Sequence, residues 1–265
     1  SISSRTPTTP VLATATSLPE LGTGVGSVVL VGEPDLAAGD AFGSNLFNLM
    51  IVGLLDIFWR NSPILTSVSS VSILIGGLGI AVISIAAFAL LVHTTTETIS
   101  GWYISPFSLV LPVVFVAALY LIYRSGLSNE ESVQDAPQDE SAEDHEYASH
   151  SLTKAAITYV VAAVVVVGAA IWLAQTGDRI AEEMGWEASF VGNQFLALST
   201  SLPELAASFA AIRINAPELA ITNVLGSNLF NMGFVLFIDD LAYSQGVFWA
   251  AVSEIHTLTA LIGIV

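Results

Sequence analysis

Apolar residues in this chain do not alternate with polar ones; they come in eight long blocks, near 11–31, 36–58, 64–92, 106–123, 152–175, 188–212, 218–238 and 246–265. Roughly 17–25 residues of helix are needed to cross about 30 Å of hydrocarbon, and each block has about that length. Backbone polar groups in lipid must pair within a helix or a closed barrel, and these blocks are about twice as long as barrel strands. The pattern therefore predicts an all-α integral membrane protein with about eight transmembrane helices. Pro63 and Pro106 stand at block starts, where a helix tolerates a missing N–H. The opening "SISSRTPTTP", without Met, and the stop at Val265 inside an apolar block predict a chain shortened at both ends, and no signal peptide is visible.

Polar residues inside the blocks follow a second pattern. "TSLPEL" occurs at Thr16–Leu21 and again at Thr200–Leu205, and "GSNLFN" at Gly43–Asn48 and Gly226–Asn231. The stretch 33–50 lies over 216–233 without a gap at an offset of 183, and the first motif repeats at 184. Two hexapeptides in the same order mark an internal duplication. From the first copy to the second the path moves on by five blocks. Five is odd, so the copies cross the membrane in opposite senses, the inverted-repeat plan of many secondary transporters. The chain thus divides into a first inverted repeat (1–124), a linker (125–151) and a second inverted repeat (152–265).

Charge adds orientation. When the blocks are threaded alternately, Arg5, Arg60, Arg124, Lys154 and Arg213 fall on one face and only Arg179 on the other, which marks the first face as cytoplasmic. The net charge of −17 is lopsided, because 129–151 holds eight of the 23 acids and no Lys or Arg. That segment reads as a solvated, cytoplasmic, disordered linker, without the ligand pattern of an EF-hand. A plasma (inner) membrane location is expected. Composition agrees, with 54% apolar and 11% charged residues and a mean hydropathy of +0.74. With no cysteine, disulfides, thiolate metal sites and Cys nucleophiles are excluded.

A mid-span Glu costs about 2.5–3.5 kcal/mol or more on insertion scales, and neither the span of Glu20 nor that of Glu204 holds a Lys or Arg to offset it. Protonation or a bound cation must do so. Pro19 and Pro203 cannot donate to the carbonyls of Ala15 and Ser199, so each helix is expected to kink beside its carboxylate and turn carbonyl oxygens toward a ligand. Thr16, Ser17 and Glu20 share one helix face, as do Ser44 with Asn48 and Ser227 with Asn231. These groups offer oxygen and neither imidazole nor sulfur, which suits a hard cation. Ca²⁺ takes six to eight oxygens and is balanced by two carboxylates, Mg²⁺ demands a stricter octahedron, and transition metals favour His or Cys. Na⁺, close to Ca²⁺ in size, fits the same oxygens. Gly43 and Gly226 let helices approach closely.

"ATSLPEL…GSNLFNLM" and "STSLPEL…GSNLFNMG" resemble the two alpha-repeats of the sodium/calcium exchanger family, within the cation/calcium antiporter superfamily. The resemblance covers about half the chain by motif. It implies a plan of ten helices in two inverted halves, of which this chain lacks the first and last. It further implies ion ligands at Thr16, Ser17, Glu20, Ser44 and Asn48 and at Thr200, Ser201, Glu204, Ser227 and Asn231, with the carbonyls of Ala13 and Ala197 assisting. Many members carry Asn where Asp40 stands, and several sodium-coupled members carry Asp where Asn231 stands. The implied function is a secondary antiporter exchanging Ca²⁺ for Na⁺ by alternating access. Its implied partners are the bilayer and inorganic cations, with no cofactor, no nucleic acid and no required protein partner.

Other readings stay open. A proton-coupled exchanger of the same superfamily is the nearer rival, H⁺ or K⁺ being alternative coupling ions, and a cation channel the more distant one. An enzyme is disfavoured because two mid-membrane Glu residues come without a nucleophile, metal triad or phosphate loop. Asn45 and Asn228 point away from Ser44 and Ser227 and are expected to bond between helices. Asp56, Asp239 and Asp240 lie at block ends and are expected to be solvated, and His93, His145, His150 and His256 lack metal-ligand spacing.

Overall fold

The computed structural model describes residues 8–95, 105–133 and 152–264. Its elements are α1 (Thr8–Thr16), α2 (Leu18–Gly26), α3 (Pro34–Phe58), α4 (Ser70–Thr95), α5 (Pro106–Val133) and α6 (Leu152–Met184) in the first part of the chain. The second part adds α7 (Ala188–Val191), α8 (Ala197–Thr200), α9 (Leu202–Arg213), α10 (Pro217–Phe230), α11 (Leu236–Ala242), α12 (Phe248–Ala251) and α13 (Ile255–Ile264). π-helical turns at Ser27–Val31, Gly192–Leu196 and Asn231–Val235 join several of these into longer rods. No strand occurs among the described residues. Among the described residues, six helical segments are long and apolar enough to cross a membrane.

The boundaries differ from the sequence pattern in physically readable ways. The third block begins with a 3₁₀ turn at Ile64–Ser67, and its helix starts only at Ser70. The eighth block is two helices, α12 and α13, separated near Ser253. The helix after Pro106 runs on through Val133, so the first residues of the expected linker, 125–133, are helical; 134–151 lies outside the described residues.

Burial is the reverse of a soluble protein's. Val113 (68% exposed), Val164 (68%) and Trp172 (72%) face outward, whereas Ser17, Glu20, Asn48, Glu204 and Asn231 are fully buried. An apolar exterior around polar helix faces is what a lipid solvent selects. Small residues set the helix spacing. Cβ atoms built at Gly22 and Gly26 would lie 2.7 Å and 3.2 Å from the methyls of Ala170 and Ala174, so this glycine pair seats α2 against α6.

The duplication is visible as a pseudo-twofold relation. α1 packs on α10, while α3 packs on α8 and on the π-turn before it. Asp35 accepts from the Ser253 N–H at 2.6 Å and lies 3.2 Å from His256 Nε2. Its repeat-mate Glu218 accepts from the Ser69 N–H at 2.6 Å, from the Ser69 hydroxyl at 2.6 Å and from Ser72 at 2.5 Å. Each acid at the start of a core helix thus satisfies orphan donors at the start of a partner helix. Ser69 and Ser253 are themselves 184 residues apart.

Candidate functional site

Each "TSLPEL" copy interrupts its helix at the serine. Ser17 (φ −89°, ψ 9°) and Ser201 (φ −82°, ψ 1°) leave the helical region, two residues before Pro19 and Pro203. The missing proline N–H and the crowding of its ring account for a break there. The two Glu side chains follow in the first turn of the next helix, both with 0% exposure.

The polar faces meet at the middle of the bundle, one repeat against the other. Thr16 Oγ1 lies 3.4 Å from Ser227 Oγ, and the repeat-equivalent pair, Thr200 Oγ1 and Ser44 Oγ, is 3.2 Å apart. Ser17 and Ser227 both donate to Glu204 Oε1, at 3.3 Å and 3.1 Å. Neither oxygen of Glu20 has a hydrogen-bond partner, nor do Glu204 Oε2, Ser201 Oγ, Asn48 Oδ1 or either side-chain end of Asn231. Among the described residues the single ion pair is His256–Asp35, which includes neither Glu20 nor Glu204, so no basic side chain offsets the two Glu. Several buried oxygens without donors and two uncompensated carboxylates make a cluster that a hard cation would satisfy. The carbonyls of Ala13 and Ala197 each already accept two bonds in this conformation, from Ser17 N and Thr16 Oγ1 and from Ser201 N and Thr200 Oγ1.

The symmetry is broken at the two Glu and again at the asparagines. Asn48 donates to Asn228 Oδ1 at 2.8 Å, whereas the equivalent pair, Asn231 and Asn45, is left with all four polar ends unpartnered. Identical motifs thus take two arrangements in one structure. Asn228 does bond between helices, as its angular position predicts, but Asn45, expected to do the same, has no hydrogen-bond partner.

A second polar layer was only partly legible. Asp40 accepts from Thr200 Oγ1 at 2.8 Å and from Thr23, and its repeat-mate Asn223 accepts from Thr16 Oγ1 at 3.4 Å and donates to Ser208 at 3.4 Å. The signals for Thr23 and Asn223 were present: the first is three residues past Glu20, and the second is the repeat-mate of Asp40. The expectation of solvated acids fails for two of three. Asp56 is exposed and accepts from the Ile64 N–H at 2.6 Å. Asp239 is 0% exposed, its carboxyl lying against Gly24 of α2, and Asp240 is 2% exposed, because the chain turns back after α11 and lays Phe248 and Trp249 beside it.

Residues 2–124 and 154–262 match the family model described as sodium/calcium exchanger protein. The chain belongs to the sodium/calcium exchanger family. It is 26% identical to the inner membrane protein YrbG of Escherichia coli over 259 residues, 89% of this chain and 71% of that one. It is also 31% identical to the sodium/calcium exchanger MaX1 of Methanosarcina acetivorans over 107 residues, 40% of this chain and 30% of MaX1. The fold is similar to that of the sodium-calcium exchanger NCX_Mj soaked with Na⁺ and Sr²⁺, with a TM-score of 0.57 at 21% identity, covering 96% of this chain and 74% of the other. Membership makes the protein an integral membrane transporter of the cation/calcium antiporter type, a class that is not enzymatic and whose members carry ions without a cofactor.

Proposed function

We propose that this protein exchanges Ca²⁺ for Na⁺ by alternating access, with both ions using one cage formed by Thr16, Ser17, Glu20, Ser44 and Asn48 and by Thr200, Ser201, Glu204, Ser227 and Asn231. The observation that carries this reading is the pair of buried carboxylates on pseudo-twofold-related broken helices, with both oxygens of Glu20 unpartnered. Two negative charges in a low-dielectric interior repel strongly when the cage is empty. One Ca²⁺ or several Na⁺ neutralise them, so loaded states can change conformation while the empty, doubly negative state resists. The unequal asparagine pairs support two states related by exchanging the roles of the repeats. Flux into vesicles decides the coupling ion: an imposed Na⁺ gradient is expected to drive ⁴⁵Ca²⁺ movement, whereas Ca²⁺ movement driven by a pH gradient and indifferent to Na⁺ would establish proton coupling instead.

Asn231 tunes that choice. It is fully buried with both side-chain ends unpartnered, so Asn231→Asp introduces a third carboxylate into the cage. The expected result is tighter Na⁺ binding and a steeper pH dependence of Ca²⁺ binding between about pH 5 and 9, with thermal stability in saturating Ca²⁺ little changed. Identical ion affinities in parent and variant would place Asn231 outside the cage.

Orientation follows from the basic residues and has its own test. Arg60, Arg124, Lys154 and Arg213 lie on the proposed cytoplasmic face, opposite Arg179. Ser141→Cys should react with an impermeant maleimide only from the cytoplasmic side and Glu183→Cys only from outside; labelling of both from one side would refute the odd crossing number. The membrane concerned is taken to be the plasma membrane.

A further inference from the structure

The two halves of the bundle treat one location differently. In the second half, Ser208 donates to the Ala220 carbonyl at 3.2 Å and accepts from Asn223, so the space between the "TSLPEL" helix and its neighbour is filled by neutral, bonded groups. The equivalent of Ser208 in the first half is Gly24, and the equivalent of Asn223 is Asp40. The space that Gly24 leaves is taken by Asp239. A Cβ built on Gly24 would lie 2.4–2.7 Å from all three carboxyl atoms of Asp239, so the acid rests directly on the α2 backbone.

Asp239 is fully buried, and neither of its oxygens has a partner. Its repeat-mate Asp56 is exposed and bonded to a backbone N–H, so a cap duplicated along with the helix does not explain Asp239. One turn beyond Gly24, on the same face of that rod, the Ser27 hydroxyl is also fully buried and unpartnered. Asp40 stands close enough to Asp239 to repel it, and it takes its second hydrogen bond from Thr23, next to Gly24. Asp240 sits behind, beside Ser108, Trp249 and His93. No ion pair among the described residues reaches these acids.

We propose that Asp239, Ser27 and Asp40 form a second cation site, separate from the exchange cage, that holds one monovalent ion of Na⁺ size. The charge of the surrounding acids calls for a cation. The few oxygens these buried side chains offer argue against Ca²⁺, which takes six to eight. The two sites communicate through Asp40, which touches Thr200 of the cage on one side and Thr23 on the other. The site's existence does not depend on which ion drives exchange.

Equilibrium binding of ²²Na⁺ to the purified protein in detergent tests this directly. With Ca²⁺ in saturating excess, cage Na⁺ is displaced and about one Ca²⁺-resistant Na⁺ per chain should remain. Asp239→Asn should remove that ion while leaving Ca²⁺ binding intact, and Ser27→Ala should weaken it roughly tenfold, the worth of one lost ligand at about 1.4 kcal/mol. Glu20→Gln, which empties the cage, should retain it, so failure of the cage reading and failure of this one give different patterns. The proposal is overturned if the parent holds no Ca²⁺-resistant Na⁺ at any pH between about 6 and 9, the result expected if the acids are simply protonated. It is also overturned if Asp239→Asn keeps the ion. Should Asp239→Asn not fold, the smaller truncation Ser27→Ala decides the matter, and retention of the ion at the parent affinity in that variant overturns the proposal as well.

Discussion

Glu20→Gln is expected to lower Ca²⁺ exchange below about 1% of the parent rate, a loss of roughly 3 kcal/mol or more, and at the same time to raise the unfolding temperature measured without cations. The two effects share a cause. Glu20 is fully buried with both oxygens unpartnered, and Glu204 stands nearby, so the cation-free cage holds two like charges that no basic residue offsets. Replacing one by an amide of the same shape removes the repulsion and removes the reason for a cation to bind. Ligand stabilisation gives the second readout. The parent should gain about 2.7 kcal/mol at a Ca²⁺ concentration a hundred times Kd, and the variant should gain none. Glu204→Gln should behave alike, with a smaller gain in cation-free stability, because Glu204 already accepts from Ser17 and Ser227 and its amide replacement would disturb both bonds. Exchange at the parent rate in either variant would place the ions elsewhere. A parallel loss of folding would mean that these carboxylates serve the scaffold.

Much of this site was legible before any coordinates, because a membrane span makes polar residues conspicuous. Glu20 and Glu204 in apolar blocks, each one residue after a proline, state both the charge and the helix break, and the breaks at Ser17 and Ser201 fall two residues before the prolines that withhold their N–H. The duplication made partners legible too: Thr16 meets Ser227 as Thr200 meets Ser44. What could not be read is how the ends of segments are covered. Asp239 and Asp240 close an apolar block and look like surface residues by linear position, but Gly24 of α2 lies against the first and the return of the chain through Phe248 and Trp249 buries the second. The break in the eighth block had a signal that hydropathy hides: Ser253 is the repeat-mate of Ser69, which precedes a helix start and is bound by an acid from the neighbouring repeat, as Ser253 is by Asp35. Nor could sequence show the unequal asparagine pairs, because the two copies are identical at those positions and only the conformation distinguishes them.

Gly43→Ala and Gly226→Ala, identical changes in identical hexapeptides, are expected to differ in their cost. A Cβ at Gly43 would come within 2.7 Å of the Asn193 carbonyl oxygen, 2.8 Å of Asn193 Cα and 2.7 Å of the Ala197 methyl. Two of those atoms are backbone of the π-turn that leads into α8, so α3 must move away from the helix carrying Thr200 and Ser201. At Gly226 the single close atom is the Ala13 methyl at 2.9 Å, near the start of the first rod. Overpacking of the first kind costs about 1–3 kcal/mol, while the helical preference for Ala over Gly returns up to about 1 kcal/mol at both positions. Gly43→Ala should therefore lower the unfolding temperature in detergent by several degrees and weaken Ca²⁺ binding, with Gly226→Ala near the parent in stability. A double-mutant comparison separates the causes. Ala13→Gly should relieve whatever strain Gly226→Ala introduces, whereas Ala197→Gly should rescue Gly43→Ala only in part, because the Asn193 backbone still obstructs. Equal destabilisation by the two single changes, or full rescue by Ala197→Gly, would show that the α3 contact with the π-turn is looser than these distances require.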